Sequence, residues 1–417
     1  MMVTLVAITF ISSAPPEGTC AAEPAPALST LIASVDDIVT QAIQERQFPG
    51  CQVLVMKRGE VLLDRSYGHL TYDSLTPVTA NTRYDLASVT KVAATTLMLM
   101  HLAERGMIDL DDHVSCYLPE YLGSNKENIT LRQLLSHNAG LQPYVPFWEK
   151  KIGGDFIYPI CDDPLEQDAY GRLLYPHMTD SLNRWIIRSS LQSFKGSSKF
   201  LYSDIGFMIL HQVAERASGQ SMEDYLNNHF YKPMGLERTH FNPKLKGVDY
   251  ADLAPTEYDH TFRKRLVWGD VHDKNAAVFN GVAGHAGLFS TSRDLGILMS
   301  MVLNEGSWKN RQYLLPETVR TFNTRYFPYN RWALGWDKRN PKVSSKVSDA
   351  SFGHTGFTGT MVWADPTNEL VFVFLTNRVY PNVHNRKLIT SHTRSRIQDV
   401  VYDAFGSLEA THLTGVK

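Results

Sequence analysis

The 417-residue sequence has no uninterrupted apolar stretch of the length a bilayer-spanning helix needs, so no transmembrane segment is expected. It is poor in cysteine: four in a chain this long cannot form a disulfide framework. It has almost no net charge, since 41 Lys+Arg stand against 43 Asp+Glu, and with no strong field nucleic acid is not an expected partner. Metal and phosphate signatures are missing too: there is no H-E-x-x-H, G-x-x-x-x-G-K-[ST] or G-x-G-x-x-G, and the 15 His are scattered. No metal site and no cofactor are therefore expected. The G-x-S-x-G elbow is also absent, which argues against an α/β-hydrolase fold. Internal repeats and low-complexity tracts are lacking. What is present is ordinary globular material, 43% hydrophobic and 20% charged, which excludes disorder, collagen and coiled coil as the main architecture.

The start of the chain, MMVTLVAITFISSA, is a short apolar run followed by small residues, with candidate cleavage points near Ala14 or Ala21–Ala22. It reads as a secretory leader despite having no Lys or Arg before the run, and the alternative is a mis-called start. Residues 1–28 are expected to be leader and linker, placing the mature chain in a periplasmic or extracellular compartment. Lipidation of Cys20 would add a membrane anchor, but Thr19 fits a lipid-anchor pattern poorly. Cys51, Cys116 and Cys161 have no C-x-x-C spacing and read as small buried hydrophobes.

Apolar residues recur at helical spacing from Leu31 to Arg46. Two apolar runs, 51–57 and 60–65, flank Arg58-Gly59 in a hairpin pattern. Residues 90–105 read as a strong helix stopped by Gly106. Helices are also expected at 203–218 and 292–304, between loops rich in Pro and aromatics. Toward the end the period changes: 332–336, 351–354, 359–364 and 370–375 read as strands, and 386–405 as a closing helix. The expected fold is α+β. An antiparallel sheet from about 29–80 and 327–406 is flanked by N- and C-terminal helices, with a mostly helical insertion over about 81–326. Residues 29–406 make the domain, 407–417 a tail, and a cleft is expected where sheet and insertion meet.

The chemically informative segment is Tyr84-Asp85-Leu86-Ala87-Ser88-Val89-Thr90-Lys91, at the start of the strong helix. Three residues apart, Ser88 and Lys91 share a helix face, and a Lys beside a Ser hydroxyl can activate it as a nucleophile. Helix N–H groups at that end favour developing negative charge. The plainer alternative is an N-capping Ser88 and a solvated Lys91. Ser88 is the only Ser in the sequence with Lys three residues on.

Two further segments, Lys199-Phe200-Leu201-Tyr202-Ser203-Asp204-Ile205-Gly206 and Ser351-Phe352-Gly353-His354-Thr355-Gly356-Phe357-Thr358-Gly359, complete an ordered set: S-x-x-K, Y-S-D, H-T-G. The set resembles the three motifs of the serine β-lactamase and penicillin-binding-protein superfamily. Leu134-Leu135-Ser136-His137-Asn138-Ala139-Gly140-Leu141 and Pro233-Met234-Gly235-Leu236 resemble further family turns. The resemblance spans about residues 31–406 and points to the class C β-lactamase-like branch, nearest its muramyl-peptide amidase-like and low-molecular-mass penicillin-binding-protein-like members. It implies a β-lactamase/transpeptidase-like fold with Ser88 as the acylated nucleophile, Lys91 as its activator and Tyr202 as the proton shuttle. Lys91 and Tyr202 both stand as candidate bases. The backbone N–H groups of Ser88 and Phe357 would form the oxyanion hole. His354, Thr355, Gly356, Asp204 and His285 are implied as substrate-binding residues.

Two departures narrow the reading. Asp204 stands where many relatives have Asn, and His354 where β-lactamases usually have Lys. Both suit a peptidase, amidase or esterase better than an antibiotic-destroying enzyme. His285 could instead be satisfied by backbone in its Gly-rich turn, and His137 reads as a turn-holding residue. Trp148, Tyr158, Tyr170 and Tyr175 could roof the cleft or pack under a long loop. The expected substrate is a small peptide or glycopeptide derived from peptidoglycan, cut at an amide. The alternatives are a promiscuous esterase or weak β-lactamase, and then a non-catalytic binder. Sequence does not fix the oligomeric state.

Overall fold

The computed structural model describes residues 26–149, 151–152, 155–156, 178–193, 200–340 and 343–413. The expected leader, Cys20, Cys161, Tyr158, Tyr170, Tyr175 and Lys199 lie outside the described residues. Helix α1 (Pro26–Gln44) leads into strands β1 (Gly50–Lys57) and β2 (Glu60–Gly68). Their turn places Arg58 and Gly59 both at positive φ, +54° and +81°, the backbone that a tight two-residue hairpin requires. Helices α2 (Leu97–Glu104), α3 (Asp204–Ser218) and α4 (Ser292–Leu303) follow in the middle of the chain. Strands β3 (Asp337–Lys338), β4 (Phe352–Thr355), β5 (Met361–Asp365) and β6 (Leu370–Thr376) then precede helix α5 (Thr393–Leu413).

The six strands form one antiparallel sheet in the order β3-β4-β5-β6-β1-β2. The central pairing runs from Cys51 opposite Thr376 to Lys57 opposite Leu370, so the two ends of the chain meet in the middle of the sheet. Strands β1, β5 and β6 are buried almost throughout, because both faces are covered. Alternate side chains sort into two cores. Val53, Val55, Met361, Trp363, Phe372 and Phe374 pack with α1 and α5 through Leu31, Val35, Val39, Ile397 and Val401. Leu54, Met56, Val362, Val371, Val373 and Leu375 face the helical part, through α4 among others. This is the expected α+β architecture, with the sheet built from both ends of the chain and the helical part inserted between them.

Local readings differ in four places. Residues 332–336 are not a strand: the Ala333 N–H donates back to Trp336 O, and Gly335 turns at φ +86° against Thr96. The strand itself is Asp337–Lys338. The closing helix is broken at His392, which has φ +52°, leaving a short helix Lys387–Thr390 before α5. Helix α5 runs to Leu413, past the expected start of a tail. Cys116 is exposed rather than buried, whereas Cys51 is buried as read. Among the described residues no helix is long and apolar enough to cross a membrane.

Candidate active site

The helix expected over 90–105 is preceded by a 3₁₀ turn (Ala87–Val89) and is itself wound in two ways, a wider π turn (Lys91–Thr96) and then α2. Such irregular winding is frequent at functional sites. Immediately before Ser88, Ala87 is held at φ +46°, a costly conformation for a residue with a Cβ. Asp85 braces it: its buried carboxylate accepts from the Ala87 N–H at 2.8 Å and from the His272 N–H at 2.6 Å.

Lys91 is fully buried, and each of its three N–H donors has an acceptor. Nζ donates to Ser88 Oγ at 2.9 Å, to Asp204 Oδ1 at 2.6 Å and to the His285 carbonyl at 3.0 Å. Burial alone would push the ammonium's pKa down. The Asp204 carboxylate and Tyr202 outweigh it and hold Lys91 above its ordinary value. Lys91 is therefore neither a solvated surface charge nor a free amine at rest.

Asp204 opens α3, and the preceding turn is pinned by the Ser203 hydroxyl on Gln142 O at 2.6 Å and the Ser203 N–H on His137 Nδ1 at 3.2 Å. The Tyr202 ring lies against His137 (4.3 Å between centroids), Trp332 (5.5 Å) and His354 (6.1 Å). Lys91 Nζ lies 5.2 Å from the centre of that ring. Burial raises the phenol's pKa, and the Lys91 charge only partly opposes this. His137, at φ +55°, also accepts the Leu201 N–H through its carbonyl, so it holds the turn that presents Tyr202.

The third wall is the β4–β5 turn. Thr358 Oγ1 donates to Asp85 O at 2.8 Å and Thr360 Oγ1 to Leu86 O at 2.9 Å, stapling the turn to the segment ahead of Ser88. A Cβ on Gly356 would collide with Thr360 Oγ1 and Leu86 O, so only glycine permits this approach. The Phe357 N–H has no protein acceptor among the described residues, as an oxyanion donor requires. His354 is 2% exposed, with Nδ1 at 2.8 Å from Thr355 O. Burial, then the Lys91 charge, push its pKa down to about 3, so it is neutral in the working pH range.

Ser88, Tyr202, His354, Thr355, Gly356 and Phe357 line one cleft of about 760 Å³. Asp204 adjoins it through Lys91. The His285 side chain is not among those that line the cleft. Its ring is 1% exposed and turns to Asp273, with Nε2 at 2.9 Å from Oδ1, and only its carbonyl reaches Lys91. Sequence reading missed Asp273 and the arginines of the cleft, Arg331, Arg378, Arg386 and Arg394. None sits in a short motif. The cue available was a C-terminal stretch with basic residues every eight positions, 378, 386 and 394.

The family model described as beta-lactamase matches residues 35–393. A "Putative D-alanyl-D-alanine carboxypeptidase" of Salmonella agona is 31% identical over 400 residues, covering 87% of this chain and 88% of that one. Among solved structures, EstCE1, described as a hydrolase with promiscuous acyltransferase activity, superposes with a TM-score of 0.67 at 21% identity. That match covers 91% of this chain and all of that one. A class C beta-lactamase gives a TM-score of 0.62 at 19% identity, over 89% and 96% of the two chains. The chain belongs to the beta-lactamase family and is a serine hydrolase of that fold.

Proposed function

We propose that the protein is an exported serine hydrolase that forms an acyl-enzyme through Ser88 on amide bonds of peptidoglycan-derived peptides, as a D-Ala carboxypeptidase or amidase. The observation that carries this is the Lys91 ammonium, 2.9 Å from Ser88 Oγ and anchored by Asp204 on its far side. Once Lys91 or Tyr202 has given up a proton, Ser88 Oγ adds to the carbonyl carbon, and its own proton passes to that group and on to the leaving nitrogen. The C–N bond breaks, leaving an ester on Ser88. Water then enters by the same proton route, releases the acid and restores the serine. The charged Lys91 favours the alkoxide and phenolate forms of its neighbours, and the Ser88 and Phe357 N–H groups receive the developing oxyanion. The relative of Salmonella agona, by its name, supports the carboxypeptidase reading.

Ester hydrolysis is the second reading, favoured by the apolar side chains in the cleft, Phe200, Trp332, Val383 and Ile389, and by the likeness to EstCE1. A non-catalytic binder would have no use for a fully satisfied Lys91 on Ser88. Incubation with a fluorescent penicillin or a fluorophosphonate, followed by peptide mapping, tests the nucleophile. Label is expected on Ser88 and lost in Ser88→Ala, and label elsewhere overturns the assignment. Release of D-Ala from an acyl-D-Ala-D-Ala peptide, compared with turnover of a p-nitrophenyl ester, separates the two readings.

A further inference from the structure

The two N–H groups that would receive the oxyanion, those of Ser88 and Phe357, come from segments far apart in the chain, so their spacing has to be fixed by a third party. Asp85 reaches both. It is 2% exposed and rooted in a short antiparallel pairing, with Tyr84 opposite Ser290 and Asp85 opposite Phe289. Its Oδ1 accepts the N–H of Ala87, the residue before Ser88, at 2.8 Å. Its main-chain carbonyl accepts the hydroxyl of Thr358, the residue after Phe357, at 2.8 Å. Its Oδ2 accepts the His272 N–H at 2.6 Å, and the His272 ring stacks on that of Phe357, with 5.6 Å between centroids and 25° between planes. Three separate contacts of one residue thus end next to an oxyanion donor or on its side chain. Ala87 holds φ +46°, which its Cβ opposes, so the turn that aims the Ser88 N–H needs a partner to keep it. A carboxylate suits the place because two N–H groups converge there and each oxygen can accept one. Asp85 is not among the residues lining the cleft, so it acts on the reaction only through others.

We propose that Asp85 is the positioning residue of the oxyanion hole, setting the distance between the Ser88 and Phe357 N–H groups by holding Ala87, Thr358 and His272 at once. Its effect belongs to the transition state, where the carbonyl oxygen becomes negative and moves between the two donors, and not to substrate binding. None of the three contacts is to Lys91, Tyr202 or Asp204, so the proton route is left alone. This deepens the reading of Ser88 as the acylated nucleophile and rests on it.

The test is Asp85→Asn, which keeps the shape but leaves one accepting oxygen for two N–H groups. With a p-nitrophenyl ester, kcat should fall about tenfold to a hundredfold, short of the loss of a whole donor, while KM changes by about twofold or less. The inhibition constant of phenylboronic acid, whose tetrahedral adduct on Ser88 puts an oxygen at the oxyanion position, should rise by the same factor. The acid limb of the pH–rate profile should stay where the wild type has it. A residue that only supported the fold would not tie the loss in kcat to the loss in boronate inhibition. Unchanged turnover, or a fall in kcat with boronate inhibition unmoved, overturns the proposal. Thr358→Val provides the same readouts if Asp85→Asn does not fold. It removes only the hydroxyl on the Asp85 carbonyl, should weaken turnover and boronate inhibition together by several-fold, and Thr358→Ser should restore both. A Thr358→Val enzyme equal to the wild type in both measurements also overturns the proposal. Fluorophosphonate labelling distinguishes this from failure of the nucleophile assignment. Label on Ser88 with equal boronate inhibition in wild type and variants removes the role of Asp85 alone, whereas label on another residue removes both.

Discussion

At the scale of single residues, the site is governed by how Asp204 sets the charge of Lys91. The carboxylate raises the pKa of both Lys91 and Tyr202 against the opposing or reinforcing effects of burial. Whichever of the two accepts the Ser88 proton must first lose one of its own, so kcat/KM should climb with pH from 6 to 9. Asp204→Asn removes the raising influence from both groups, and the acid limb of the pH–rate profile should move to lower pH. A limb that stays in place or moves up would contradict the arrangement. Asp204→Ala is a different experiment. It leaves a buried ammonium without its partner, and urea unfolding should show a loss of about 3–5 kcal/mol. Lys91→Ala, which leaves unpaired only the partly exposed Asp204, should keep the fold by circular dichroism yet lose hydrolysis by orders of magnitude. His354, near 3, should contribute no limb between pH 5 and 8, so a histidine titration in that range on substrate turnover would have to come from elsewhere.

At the scale of elements, the β4–β5 turn is the part most exposed to a small change. Its approach to Leu86 depends on Gly356, so Gly356→Ala must push the turn off the nucleophile's segment. Such a shift should cut kcat/KM by about a hundredfold, the scale of one lost oxyanion donor, while melting temperature falls only modestly. A variant with unimpaired turnover would mean that the turn does not set the oxyanion position. The same elements show what sequence could and could not give. The contact between Ser88 and Lys91 was legible because three residues of helix fix their spacing, whatever the rest of the chain does. The hairpin at Arg58-Gly59 was legible because its backbone demand is local. Residues 332–336 were misread because an apolar run looks alike in a buried turn and in a strand, and the close fit of Gly335 on Thr96 is not written in the run itself. The break at His392 lacks Gly or Pro to announce it. Asp273 and the arginines stayed hidden because no spacing rule links residue 273 to 285 through a side chain or 394 to 359 through a carbonyl.

At the scale of the whole molecule, stability rests on a sheet covered on both faces. Trp363 is fully buried in the face against α1 and α5. Trp363→Ala should cost about 3–5 kcal/mol in denaturant unfolding without altering the Ser88–Lys91 contact, which lies in the other layer. A loss under 1 kcal/mol would mean that this layer repacks freely. The central strand pair, β1 with β6, also joins residues that leave the ribosome more than 300 positions apart. Ser88 and Lys91 are synthesised well before the turn that holds Phe357 and the strand that pairs with β1. A nascent chain therefore carries Ser88 and Lys91 long before the turn that packs against them, and the cleft can take shape only once the strand at 370–376 has emerged to pair with β1.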